Sequence, residues 1–120
     1  MRRTMRQFEM FVEEALGGLS SSVRKNIRNV AICVEEHPSS EQLRETGTRK
    51  GDLLLGLYEG VPETAWGKGE GQRLPDKITL FRESLELLAR SKEELKQLVQ
   101  DTVRHEVAHY LGFEEEDLPG

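Results

Sequence analysis

Cysteine is almost absent from this chain, and its one copy excludes a disulfide bond within the chain. That residue, Cys33, lies in the apolar run at residues 30–34. Thiol catalysis needs a nearby base and polar surroundings, so this position predicts a buried strand residue rather than a nucleophile.

Long apolar runs and an excess of positive charge are also missing. No run reaches the length that crosses a bilayer, and the basic start at Arg2, Arg3 and Arg6 is not followed by the apolar core of a signal peptide. The net charge of −5 argues against a nucleic-acid partner, which needs a basic face to neutralise phosphates. We therefore expect a cytoplasmic protein that binds neither nucleic acid nor membrane.

The 120 residues are enough for one domain, spanning residues 1–120, without internal repeats. A chain of this length buries roughly two thirds of its unfolded surface without help from disulfides or a structural metal. A metal, if the protein binds one, need not hold the fold together.

The sequence H-E-V-A-H at residues 105–109 is the one motif that indicates a specific chemistry. Residues four apart lie on the same face of a helix, so the imidazoles of His105 and His109 can reach one zinc ion, with Glu106 beside them. The motif predicts a zinc site in which Glu106 is the general base. The alternative is a pair of core histidines hydrogen-bonded to backbone, with Glu106 turned to solvent.

The residues before the motif predict a long helix. Ser91 and Glu94 have the spacing of a capping box, no Pro or Gly follows until Gly112, and Gly112 suits a left-handed C-terminal stop. The helix carries a stripe that faces the core and that includes the three motif residues. Its apolar and small members are Leu95, Leu98, Val99, Thr102 and Val103.

A catalytic zinc site needs a third protein ligand if a water is to occupy the remaining position. Gly112 lets the chain fold back after the helix, and an acidic cluster follows. In proteins with H-E-x-x-H-x-x-G-x-x-H the last position is the third ligand, and here it is Glu115. Glu116 is the alternative third ligand, and Asp117 also competes.

The remaining pattern predicts an α+β fold with a short mixed sheet packed against helices. We expect a helix at residues 4–16, a short polar turn or helix at residues 20–26, a helix capped by Ser39 that stops by Gly47, and a short helix around residues 85–88. Strands are expected at residues 30–34, 53–58 and 77–81. The glycine-rich stretch 59–76 is either a connection between strands or a cover over a substrate cleft.

The motif through Gly112, followed by the acidic cluster, resembles the small bacterial zincin-like metallopeptidases known as minimal zincins, and residues 74–81 resemble the strand before their helical part. The resemblance implies a small α+β zincin-like domain, a zinc site on the last helix and a peptidase activity. All three methionines lie at residues 1–10, so no Met-turn follows the motif. Glu115 replaces the third histidine, and the only other histidine, His37, is expected in a surface turn.

The leading hypothesis is a zinc metallopeptidase that acts on a peptide or protein substrate. The alternative is a non-catalytic module that presents a groove to a peptide or protein partner. Tyr58, Tyr110 and Arg104 are open candidates for the oxyanion donor. A peptide substrate could add as a strand to a sheet edge, and residues 77–81 are the candidate edge.

Overall fold

The computed structural model describes residues 4–27, 30–60 and 76–112. In these ranges the chain forms helices and a three-stranded sheet, in the order α1 (Met5–Gly17), α2 (Ser21–Asn26), β1 (Val30–Glu35), α3 (Ser40–Thr46), β2 (Gly56–Glu59), β3 (Asp76–Phe81), α4 (Arg82–Leu88) and α5 (Lys92–Tyr110). This order confirms the predicted α+β class. The glycine-rich stretch lies mostly outside the described residues.

Local capping determines where the helices begin. The hydroxyl of Thr4 accepts a hydrogen bond from the backbone N–H of Gln7 at 3.1 Å, and the Gln7 side chain accepts from the backbone of Thr4 at 3.0 Å. Ser39 and Gln42 form the same reciprocal box at the start of α3. Each box provides partners for backbone N–H groups that a helix start leaves unpaired.

The start of α5 differs from the predicted capping box. Ser91 accepts from the backbone N–H of Glu94 at 3.1 Å, as expected. The Glu94 carboxylate, however, accepts from the backbone N–H of Arg90 at 3.3 Å, one residue before the cap. The predicted return contact to Ser91 is therefore wrong, although the helix begins where the sequence indicates.

The sheet is mixed and has the strand order β1-β3-β2. Strand β3 runs parallel to β1 and antiparallel to β2, so it lies in the centre. The prediction that residues 77–81 form an edge strand is wrong, because both sides of β3 are occupied. Within the described ranges, β1 and β2 form the edges.

Strand β2 begins at Gly56, not at residue 53 as predicted. Gly56 pairs with Leu80, so continuing the register would place Leu54 opposite Arg82. Arg82 is already the first residue of α4, so no strand is available there. The backbone instead makes one last contact, from the N–H of Phe81 to the carbonyl of Leu55 at 3.0 Å.

Helix α5 packs against β2 and β3, α1 packs against α5, and this packing forms the core. The buried members on the two helices are Phe8, Phe11, Val12, Ala15, Leu95, Val99, Val103 and Val107, and Ile78, Leu80 and Leu85 complete the cluster. The predicted stripe of α5 is confirmed, with Leu98, His105 and His109 half-buried and its other members buried. The buried stripe fixes the rotation of α5 about its axis, and so the face that carries the motif.

Two other residues lie close to where the sequence suggests. Cys33 is on β1 but is half-buried rather than buried, as suits an edge strand. His37 is exposed just after β1, and its Nδ1 atom lies 2.7 Å from a carboxylate oxygen of Glu83. None of the helices in the described ranges combines the length and apolar character needed to cross a bilayer.

Candidate metal centre

The last two turns of α5 bring the motif residues together. His105, Glu106 and His109 are all helical, and the helix ends at Tyr110. The chain then leaves the helix through Gly112, which has the left-handed backbone that the sequence predicts, with φ of 97°. A side chain at that position would be strained, so glycine is suited to this exit.

The two histidines face each other across one helical turn. Their Nε2 atoms lie 3.2 Å apart, and the ring centroids are 4.8 Å apart with the planes tilted by 50°. Two imidazole ligands at usual zinc distances and a tetrahedral angle would have nitrogens about 3.3 Å apart. The same separation also allows one neutral ring to donate a hydrogen bond to the other. The imidazole pair therefore fits a zinc ion without rearrangement of the helix.

Glu106 lies on the inner side of the same helix and is only 9% exposed. The alternative in which this side chain turns to solvent is therefore wrong. Its stem passes beside Gly56 of β2, close to Thr102 on the preceding turn of α5. A buried carboxylate is costly unless it has polar or charged partners, and a cation held by the two histidines would stabilise its ionised form.

The third ligand predicted from the sequence lies outside the described residues, as do its competitors Glu116 and Asp117. Within residues 4–27, 30–60 and 76–112, no three His, Cys, Asp or Glu side chains are arranged as metal ligands. The described part of the candidate centre therefore consists of two imidazoles and one carboxylate. Glu115 stays a prediction.

Two tyrosines lie next to one another at this end of α5. The Tyr58 hydroxyl donates to a carboxylate oxygen of Asp76 at 2.6 Å. The rings of Tyr58 and Tyr110 meet edge to face, with centroids 5.9 Å apart. Arg104, the third candidate for an oxyanion donor, is exposed, and its Nη1 atom lies 3.8 Å from Oδ1 of Asp101. The structure thus brings two of the three candidates together and turns the third toward solvent.

Asp76 and Gly56 are residues of this region that the sequence did not single out. Asp76 is a buried carboxylate at the start of β3, and its partner Tyr58 is 18 residues away in sequence. Gly56 had a local signal, since an isolated glycine in an otherwise apolar strand often marks a close approach of backbones.

A small α+β fold with an H-E-x-x-H helix against a mixed sheet defines the class of zincin-like domains. A sequence profile of zincin-like metallopeptidases matches residues 27–119, and the chain belongs to this family. Among solved structures, a conserved hypothetical protein from T. thermophilus is similar, with a TM-score of 0.59. The two sequences are 21% identical, and the match covers 90% of this chain and 94% of that one, which shows a shared fold. No curated protein sequence matches significantly.

Proposed function

We propose that this protein is a zinc-dependent peptidase in which His105 and His109 bind the metal and Glu106 is the general base. The observation that carries the proposal is the imidazole pair, with Nε2 atoms 3.2 Å apart, next to a glutamate that is 9% exposed. When bound, zinc lowers the pKa of a coordinated water and polarises a substrate carbonyl. Membership of the zincin-like metallopeptidase family supports this assignment.

The chain's own residues supply the proton transfers. Glu106 accepts a proton from the attacking water and later delivers it to the leaving amine. Glu115 is the proposed third ligand, with Glu116 as the alternative. Tyr110 is the proposed donor to the substrate carbonyl oxygen, because it lies at the end of α5 that carries the motif, whereas the hydroxyl of its neighbour Tyr58 already donates to Asp76.

The proposed substrate is a peptide or an extended segment of a protein. Strand β2 pairs with β3 along one side, and its other side has no strand partner within the described ranges. This strand also lies next to α5 at Glu106. A peptide that added as a further strand to β2 would run close to the proposed base. The proposed edge for the substrate strand is therefore β2, instead of residues 77–81 in β3.

The test is the substitution Glu106→Gln, which keeps the side-chain size but removes the base. We expect about one zinc ion per chain in both proteins by elemental analysis, and loss of peptide-library cleavage by at least about a hundredfold in the variant. Glu93→Gln is the matched control, because Glu93 is an exposed glutamate in the first turn of the same helix.

Several outcomes would contradict the proposal. Hydrolysis retained by Glu106→Gln would remove the assigned base. Failure of the wild-type protein to bind added zinc would remove the metal site. A wild-type protein that holds zinc and enriches peptides from the library without cleaving them would instead be a non-catalytic binding module.

A further inference from the structure

Gly56, the first residue of β2, lies against the side chains of Thr102 and Glu106 on α5. A Cβ atom added there would lie 2.7 Å from Cγ2 of Thr102 and 3.3 Å from Cγ of Glu106. The first distance is a clash, and the second is tighter than ordinary van der Waals contact. The approach of strand to helix therefore depends on a residue without a side chain.

Both sides of this contact are anchored. Gly56 pairs with Leu80, which is fully buried in the core, so β2 cannot move away from α5 without disturbing the sheet. On the helix side, the Thr102 hydroxyl donates to the carbonyl of Leu98 at 2.7 Å, which restricts its side-chain rotamer. The stem of Glu106 is thus confined between one turn of helix and the strand backbone.

We propose that Gly56 is a positioning residue for Glu106. The open Cβ position lets the glutamate stem lie against the backbone of β2, and this contact sets where the carboxylate lies relative to the two histidines. The inference rests on the proposed function, in which Glu106 is the general base. Gly56 has no side chain, so it cannot itself be the general base.

The first test needs no activity. Gly56→Ala should lower the Tm by about 5 °C or more, the usual scale of overpacking in a domain of this size. Thr102→Ser removes the atom nearest to the new methyl, and Glu106→Ala removes one of the two atoms at 3.3 Å, the other being the backbone oxygen of Thr79. The loss caused by Gly56→Ala should therefore be smaller in each of those backgrounds, with the Thr79 contact present in all of them. Equal losses in all three backgrounds would overturn the proposal.

A matched glycine controls for the general effect of Gly→Ala. Gly17, at the end of α1, has no atoms within 4 Å of a Cβ added there. Gly17→Ala should therefore leave the Tm unchanged or raise it slightly. A loss at Gly17 as large as that at Gly56 would show that the close contact is not the cause.

The second test uses the double variant Gly56→Ala/Thr102→Ser, which keeps the methyl near Glu106 but removes the clash with Thr102. We expect zinc content and KM to match those of Thr102→Ser alone, and kcat to fall by about ten- to a hundredfold. When Glu106→Gln is already present, adding Gly56→Ala and Thr102→Ser should not lower the residual kcat any further. A rise in KM at constant kcat, or a further loss in that background, would overturn the proposal.

The two tests separate this inference from the proposed function. If the wild-type protein cleaves no peptide, the proposed peptidase activity fails. The thermal coupling between positions 56 and 106 then decides whether Gly56 controls the placement of Glu106. Coupling without hydrolysis would support the contact, and absence of coupling would refute it even in an active enzyme.

Discussion

Zinc should stabilise the folded protein through His105 and His109, and removal of either imidazole should abolish most of that effect. The separation of their Nε2 atoms, 3.2 Å, is already close to that of two ligands on one zinc ion, so binding requires little rearrangement. A ligand that binds only the folded state at a hundred times its Kd stabilises that state by about 2.7 kcal/mol.

This stabilisation can be converted to a melting shift. The unfolding entropy of globular proteins is about 2.1 cal/mol/K per residue, and the chain has 120 residues. A stabilisation of about 2.7 kcal/mol therefore raises the Tm by about 10 °C. The assay is thermal unfolding of metal-free protein with increasing zinc, followed by circular dichroism.

The histidine variants give the decisive comparison. His105→Ala and His109→Ala should each reduce the zinc-induced shift to below about 3 °C at the same zinc concentration. His37→Ala is the matched control, because the His37 side chain is 66% exposed beside Glu83 and lies just after β1, outside α5. An equal shift in His105→Ala and wild type, or the loss of the shift in His37→Ala, would refute the assignment of the metal to the α5 pair.

Two further predictions concern polar contacts outside the imidazole pair. Burial alone would lower the pKa of Lys77, but the hydrogen bond and charge of Glu35 outweigh it and raise that pKa above its ordinary value. Since the folded pKa is raised, the stabilisation is fully present below about pH 10.4 and is lost as the pH rises through the folded pKa. The Lys77 side chain is 39% exposed, so Lys77→Met should lower the free energy of unfolding by only about 0.2–1 kcal/mol, measured with urea at pH 7. The difference from wild type should vanish at higher pH. A difference that grows with pH would contradict this prediction. Tyr58→Phe removes the donor to the buried Asp76 carboxylate and should lower the free energy of unfolding by about 1–3 kcal/mol, whereas an unchanged urea midpoint would show that this hydrogen bond contributes little.

Short-range patterns account for what the sequence predicted well. The spacing of His105 and His109 places them on one helical face, and the stop at Gly112 follows from its left-handed backbone. Ser91 was sufficient to locate the start of α5, although the partner of the Glu94 carboxylate shifted by one residue. In each case the relevant atoms are within about one helical turn of one another, so local geometry determines the contact.

The strand order could not be predicted from the sequence, because it depends on which segments pair in the folded chain. Residues 77–81 have the composition of a strand whether they lie in the centre or at the edge of a sheet. Only the pairing with β1 on one side and β2 on the other shows that β3 is central. The start of β2 at Gly56 is also set by strand pairing, because its partner strand β3 ends at Phe81.

The sequence by itself determined that two imidazoles and a carboxylate share the inner face of a capped helix, because helical periodicity alone fixes that arrangement. The tertiary structure decided what lies opposite them. Gly56 approaches the stem of Glu106, and Asp76 holds the hydroxyl of Tyr58, through contacts between segments far apart in the chain. Such contacts depend on how α5 packs on the sheet, and packing is a property of the whole core.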